Sequence, residues 1–185
     1  MIIRKSTLND TTNIATYFML AMEDIVYKFL GEKDYTKAKD FLLYFLEREN
    51  NQYSYQNCYV AVENTEVIAA VNIYDGAKLY ALRKPIAKYI NTHFGKNYDP
   101  EDETQAGEFY IDSLGVSPNH QGKGIGSKLL QFLIQEYVVK NQQTLGLLVD
   151  EENSAAKKLY IKLGFKPVGI KNLQGKSMAH LQISA

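Results

Sequence analysis

The stretch Val116-Ser117-Pro118-Asn119-His120-Gln121-Gly122-Lys123-Gly124-Ile125-Gly126-Ser127-Lys128 decides how this chain is read. Before it, Glu108 to Val116 alternates as a strand does; after it, Gly124 to about Lys140 carries the apolar stripe of a helix. The stretch is therefore a strand-to-helix turn with glycines at alternate positions. Glycine lets the backbone approach a ligand closely. Amides converging at a helix N-terminus, with the positive end of the macrodipole behind them, bind phosphate oxygens. Lys123, Ser127 and Lys128 add donors beside them. A tight turn alone needs fewer glycines, so the expected ligand carries a phosphate or pyrophosphate.

Two other phosphate loops do not fit. A P-loop needs Gly-Lys followed by Ser or Thr, whereas Gly122-Lys123 is followed by Gly124. A dinucleotide fingerprint needs its third glycine where Ser127 stands, and its glycines directly after the strand rather than beyond Pro118.

Working outward, Met1 to Lys5 reads as an opening strand, and Asn9-Asp10 offers caps for a helix running to about Leu30. Ile14, Phe18, Met22, Val26 and Phe29 lie on one face of that helix, and Gly31 is placed to end it. Asp34 to about Glu49 repeats the pattern. Asn50 to Asn57 is polar without a period and reads as a loop. Cys58 to Val62 and Val67 to Ile73 form a hairpin. Gly76 to about Gln105, a helical piece around Pro85, Ile86, Tyr89 and Ile90 followed by the acidic run Asp99 to Glu103, reads as an inserted lid or wall. Beyond the glycine turn come a buried strand at Thr144 to Val149 and a short helix at Asn153 to Leu163 closed by Gly164. Strands around Phe165 to Ile170 and Ser177 to Ile183 follow. Strand, helix, strand around the glycine turn implies a parallel crossover. The expected fold class is α/β (α+β), a mixed central sheet flanked by helices.

At this point the sequence resembles the GNAT family of N-acetyltransferases. Their signature is Gln or Arg, two residues, Gly, one residue, then Gly or Ala, matched by Gln121-Gly122-Lys123-Gly124-Ile125-Gly126. Asn153-Ser154-Ala155-Ala156 through Leu159-Tyr160-Ile161-Lys162-Leu163-Gly164-Phe165 is similar to the family's later motif. The match covers roughly residues 108 to 170, while residues 1 to 107 fit the order of elements and carry no substrate signature. The resemblance implies a mostly antiparallel sheet and acetyl-coenzyme A as co-substrate. It places the pyrophosphate on the amides of Gln121, Gly122, Lys123, Gly124, Ile125, Gly126 and Ser127, and the pantetheine arm beside Leu114, Gly115 and Val116. Gly115 is consistent with a bulge or with a close ligand, and the Leu114 N–H is the natural donor to the thioester oxygen. Asn153 has two compatible readings, a helix N-cap and a hydrogen-bonding partner of the pantetheine amides; Ala156 and Lys157 lie beside it. Lys157 and Lys158 reach for the coenzyme's outer phosphate or simply face solvent. Tyr160 is on nearly the same helix face as Asn153, and is either a general acid for the departing sulfur or a packed aromatic.

An amine nucleophile near its reference pKa of about 10.4 must shed a proton at neutral pH. Alternation puts Glu108, Tyr110 and Asp112 on one strand face, so either carboxylate is a candidate base. Asp112 is nearer the expected thioester position and is favoured for proton removal, with Glu108 orienting a cationic substrate. His93, His120 and His180 lack metal spacing, and no metal is expected. Cys58, in an apolar strand, reads as core.

At 185 residues the chain is expected to form one domain, residues 1–185, with 76–106 a substrate-side insertion. Hydrophobic residues make up 45% and charged residues 23%, which excludes a disordered or fibrous chain. Lys plus Arg number 21 and Asp plus Glu 21, so nothing electrostatic points to nucleic acid or an acidic membrane. A single cysteine suggests a reducing, cytoplasmic location. The resulting expectation is an acetyl-coenzyme A-dependent N-acetyltransferase, monomeric or homodimeric, acting on a small-molecule or peptide primary amine. Its rivals are a non-catalytic acyl-coenzyme A sensor and a nucleotide-binding module.

Overall fold

The computed structural model describes all residues from Met1 to Ala185. Its strands are β1 (Ile2–Lys5), β2 (Cys58–Glu63), β3 (Glu66–Asp75), β4 (Phe109–Val116), β5 (Leu145–Asp150), β6 (Lys166–Leu173) and β7 (Lys176–Ile183). They form a seven-stranded sheet in the order β1-β2-β3-β4-β5-β7-β6. Every pairing described is antiparallel except β4 with β5, whose parallel ladder joins Phe109–Ile111 to Leu145–Leu147. That parallel pair follows from the helical crossover between the two strands, α4 (Ile125–Leu133). The other helices are α1 (Thr11–Leu30), α2 (Tyr35–Leu46), α3 (Leu79–Phe94) and α5 (Ser154–Lys162). None is long and apolar enough to cross a membrane.

The chain divides into two compact units. The first holds Met1–Ile73, Tyr80–Asp99 and Ser113–Gly126; the second holds Tyr74–Leu79, Pro100–Asp112 and Ser127–Ala185. In the first, α1 buries Ile14, Phe18 and Val26 completely against a core that includes Phe41, Leu42 and Phe45 of α2, Val60 of β2, and Ile86 and Ile90 of α3. The inserted segment thus contributes core residues. Gly31 ends α1 in the left-handed region, φ 82°, its N–H donating to the Tyr27 carbonyl at 2.7 Å. Asp10 precedes Thr11 but does not cap α1 with its side chain. Its carboxylate instead accepts from both Arg4 guanidinium nitrogens, at 2.7 and 2.9 Å, and from the Thr7 N–H at 2.7 Å.

Asn51 to Ser54 lie in the loop read from the sequence, and they are buried. Asn51 makes this possible, because its Nδ2 donates to the Phe45 and Arg48 carbonyls while its Oδ1 accepts from the Tyr53 N–H. The helix after the glycine turn is α-helical only to Leu133; Ile134–Lys140 widens into a π-helix, and there Tyr137 lies 4.8 Å, ring to ring, from Phe109.

Candidate functional site

In the first unit, the glycine turn is built by three local contacts. The Ser117 N–H donates to the Ile68 carbonyl at 2.8 Å, Pro118–His120 forms a single 3₁₀ turn, and the Gln121 side chain donates back to the Val116 carbonyl at 3.2 Å. Gly122 and Gly124 then adopt φ of 74° and 75°, where an L side chain is strained. A Cβ on either would meet nothing within 4 Å. These glycines are therefore demanded by backbone conformation, and the space over them is open. Gln121 through Gly124 are exposed and lead directly into the N-terminus of α4, whose first-turn amides have no intrahelical partner. Gly126 differs, since a Cβ there would make only ordinary contacts with Leu114 and Val116, at 3.4 and 3.8 Å.

Gly115 has a reason the sequence reading did not contain. A Cβ at 115 would lie 2.1 Å from the Tyr17 carbonyl oxygen, so a close neighbour of Gly115 is the backbone of α1. Tyr17 is held there by its hydroxyl, which donates to the Val67 carbonyl at 2.5 Å. Leu114 lies beyond the three-residue ladder of β4 with β5.

In the second unit, the acidic and phenolic side chains converge on Tyr110. This residue is 3% exposed, and its phenol is pushed well above the usual range, first by burial and then by the charges of Asp112, Glu103 and Glu108, with Tyr160 also contributing. Alternation along β4 has worked as expected: Glu108, Tyr110 and Asp112 share surroundings. The Tyr74 ring lies 5.8 Å from that of Tyr110, and its hydroxyl donates to Glu103 at 3.0 Å. Tyr160 reaches the group from α5; burial raises its phenol pKa, and its ring meets Phe165 at 6.0 Å.

The Glu108 carboxylate is engaged by the protein's own side chains. It is 2% exposed and saturated: Oε1 accepts from the Thr104 hydroxyl at 2.7 Å, and Oε2 accepts from His180 Nε2 at 2.8 Å and Gln182 Nε2 at 2.7 Å. It presses on Gly146 of β5, where a Cβ would overlap the carboxylate. The sequence reading missed Thr104, His180, Gln182, Tyr74 and Glu103. Only the two-residue spacing of His180 and Gln182 on β7 hinted that they share a face; their partner lies about seventy residues earlier.

Asn153 caps α5, its side chain accepting from the Ala156 N–H at 3.1 Å. That engages Oδ1 and fits the first of its two readings. Lys157 and Lys158, with Ser154 and Lys162, border an open cavity of about 410 Å³ along the outer side of α5. Of the residues singled out from sequence, Leu114, Gly115, Val116 and Gln121–Gly126 belong to the first unit. Asp112, Glu108, Ser127, Asn153, Ala156, Lys157 and Tyr160 belong to the second.

The profile of the Acetyltransferase (GNAT) family matches residues 20–165. A [ribosomal protein bS18]-alanine N-acetyltransferase of Haemophilus ducreyi is 30% identical over 114 residues, 57% of this chain and 76% of that protein. A crystal structure titled acetyltransferase superposes with a TM-score of 0.81 at 29% identity, over 100% of this chain and 99% of that one. A putative acetyltransferase from Salmonella typhimurium, solved with its cofactor acetyl-CoA, shares the fold at TM-score 0.56 and 18% identity, over 100% of this chain and 93% of that one.

Proposed function

This chain belongs to the GNAT acetyltransferase family and is an acyltransferase; on that premise we propose that it moves an acetyl group from acetyl-coenzyme A directly to a primary amine of a small molecule or peptide. The observation that carries the donor half is the pair of exposed left-handed glycines, Gly122 and Gly124, with nothing over them at the start of α4. Backbone amides there meet a pyrophosphate without a side chain in the way, and the helix dipole favours its charge. The residues fit the coenzyme. Gln121 to Ser127 take the pyrophosphate, with Lys123 as a further cation; Leu114, Gly115 and Val116 lie along the pantetheine. Asn153 offers its Nδ2, Ala156 flanks it, and Lys157 takes the outer phosphate.

When bound, acetyl-coenzyme A supplies an acyl carbon activated as a thioester. The Leu114 N–H is the donor that meets the acyl oxygen as negative charge builds on it. Tyr160 holds a proton on its phenol oxygen, kept there by burial, and delivers it to the departing sulfur. Asp112 receives the amine's proton, directly or through one water. Glu108, saturated by Thr104, His180 and Gln182, positions β4 and touches no substrate. The whole chain acts as one acetyltransferase domain, a reading supported by a family match that runs through both units; its place is the cytoplasm, a reading supported by the single cysteine. Residues 76–106 belong to its acceptor side.

The test is release of free coenzyme A thiol from acetyl-coenzyme A in the presence of a panel of polyamines, amino sugars and peptides with free N-termini, with mass detection of a product heavier by one acetyl group. The Gly124→Glu variant is expected to fold and to lose coenzyme A binding in calorimetry. Unchanged affinity would remove the turn from the donor site.

A further inference from the structure

We propose that the cleft between the C-terminal end of α2 and the middle of α3 is a binding site for a small planar aromatic carboxylate. The cleft has a volume of about 320 Å³ and lies wholly within the first unit. That is near the lower end of the range of about 300–1,000 Å³ for small-molecule sites, room for one or two fused rings. None of its lining residues belongs to the glycine turn, to β4 or to α5.

Its walls are aromatic. Tyr89 lies 4.6 Å, ring to ring, from Tyr44 and 5.3 Å from Phe45, and His93 stacks on Tyr89 at 3.9 Å and 17°. These rings are fixed from behind: Phe45 is buried in the core and packs on Phe41, and His93 Nδ1 is 3.0 Å from the Tyr89 carbonyl. The mouth is cationic. The Arg48 guanidinium lies 3.5 Å over the Tyr44 ring, held by a 2.6 Å bond from its Nη1 to the Tyr44 carbonyl, and Lys88 stands on the α3 side. Against them is one carboxylate, Glu49, which accepts from the Tyr55 hydroxyl at 3.2 Å.

An aromatic wall by itself suits a cation as well as a neutral ring. Here Arg48 and Lys88 already line the cleft, so a further cation meets like charge. A planar anion meets opposite charge instead. Its ring lies within the aromatic-lined cleft, its carboxylate takes the donors that Arg48 has to spare, and Lys88 adds a point charge. Two elements supply the cations and the rings, so the site exists only where α2 and α3 pack.

The probe is 2-naphthoate, titrated into the full-length chain. The protein has 14 tyrosines and no tryptophan, so energy transfer from tyrosine to naphthoate is read without an indole background, and calorimetry gives the stoichiometry. One molecule is expected to bind per chain. The uncharged analogue 2-naphthalenemethanol and the cation 2-naphthylmethylamine are each expected to bind about ten-fold more weakly. The Arg48→Gln/Lys88→Gln double variant should lose about ten-fold for naphthoate, with its circular dichroism and coenzyme A affinity unchanged. Thr92→Phe, which fills the cleft from the exposed side of α3, should abolish binding. The proposal is overturned by absence of saturable binding, by equal affinity for the neutral analogue, or by naphthoate binding that survives both variants.

Discussion

The carbonyl oxygen of Tyr17 in α1 lies 2.1 Å from where a side chain on Gly115 of β4 would begin. Helix and strand touch backbone to backbone at this point, and Tyr17 cannot retreat because its hydroxyl is tied to the Val67 carbonyl. Gly115→Ala is therefore expected to destabilise the fold by about 1–3 kcal/mol, the cost of overpacking a contact that cannot relax. Gly126→Ala is the control. Its methyl would meet Leu114 and Val116 at ordinary distances in the first turn of α4, and stability should hold or rise by up to about 1 kcal/mol. Urea denaturation of both variants decides this, and equal losses would contradict the steric argument.

Asp10 supplies a pH prediction. Side-chain hydrogen bonds from Arg4 hold its carboxyl below the usual range against the opposing effect of burial, and the Thr7 N–H adds to the lowering. A depressed carboxylate pKa contributes stability that is complete above the unfolded value, about 3.9, and is lost as pH falls through the folded value. Asp10→Asn should cost about 2 kcal/mol near neutral pH, the scale of hydrogen bonds to a charged group. The gap between variant and parent should close below about pH 4. A constant gap from pH 7 to pH 3 would show that the charge of Asp10 contributes nothing.

Removing the Glu108 side chain strands two buried donors, from Thr104 and His180, and the half-buried amide of Gln182. Glu108→Ala is expected to cost about 3 kcal/mol or more. Glu108→Gln keeps one acceptor oxygen but turns an amide either toward Thr104 or toward both His180 and Gln182, and should cost about 1–3 kcal/mol. Both are read by chemical denaturation. A variant with parental stability and a raised KM would return Glu108 to the role of orienting a substrate.

Tyr160→Phe keeps the ring against Phe165 and removes only the hydroxyl. Coenzyme A affinity should stay within about three-fold, while turnover falls by about 10² to 10⁴ from loss of general-acid assistance. If turnover is unaltered across the accessible pH range, Tyr160 is packing.

The sequence by itself determined the order of elements and the position of the glycine turn, because both are local properties. A 3.6-residue stripe in α1 and α2, alternation in β4, and two glycines needing positive φ ahead of α4 each depend on residues within a few positions of one another. What the tertiary structure decided depends on separation along the chain. Glu108 reads the same whether it faces a substrate or His180, which lies 72 residues later. Gly115 marks a close approach in either reading, and only the fold brings the Tyr17 backbone to it. The polar run at Asn51 to Ser54 is buried because Asn51 supplies the hydrogen bonds that water would have made. The cleft at Tyr44, Arg48 and Tyr89 exists because two separate helices bring aromatic rings and cations together. Burial and partner choice belong to the whole chain, since the cost of hiding a charge or a backbone group is settled by what the rest of the molecule brings to it.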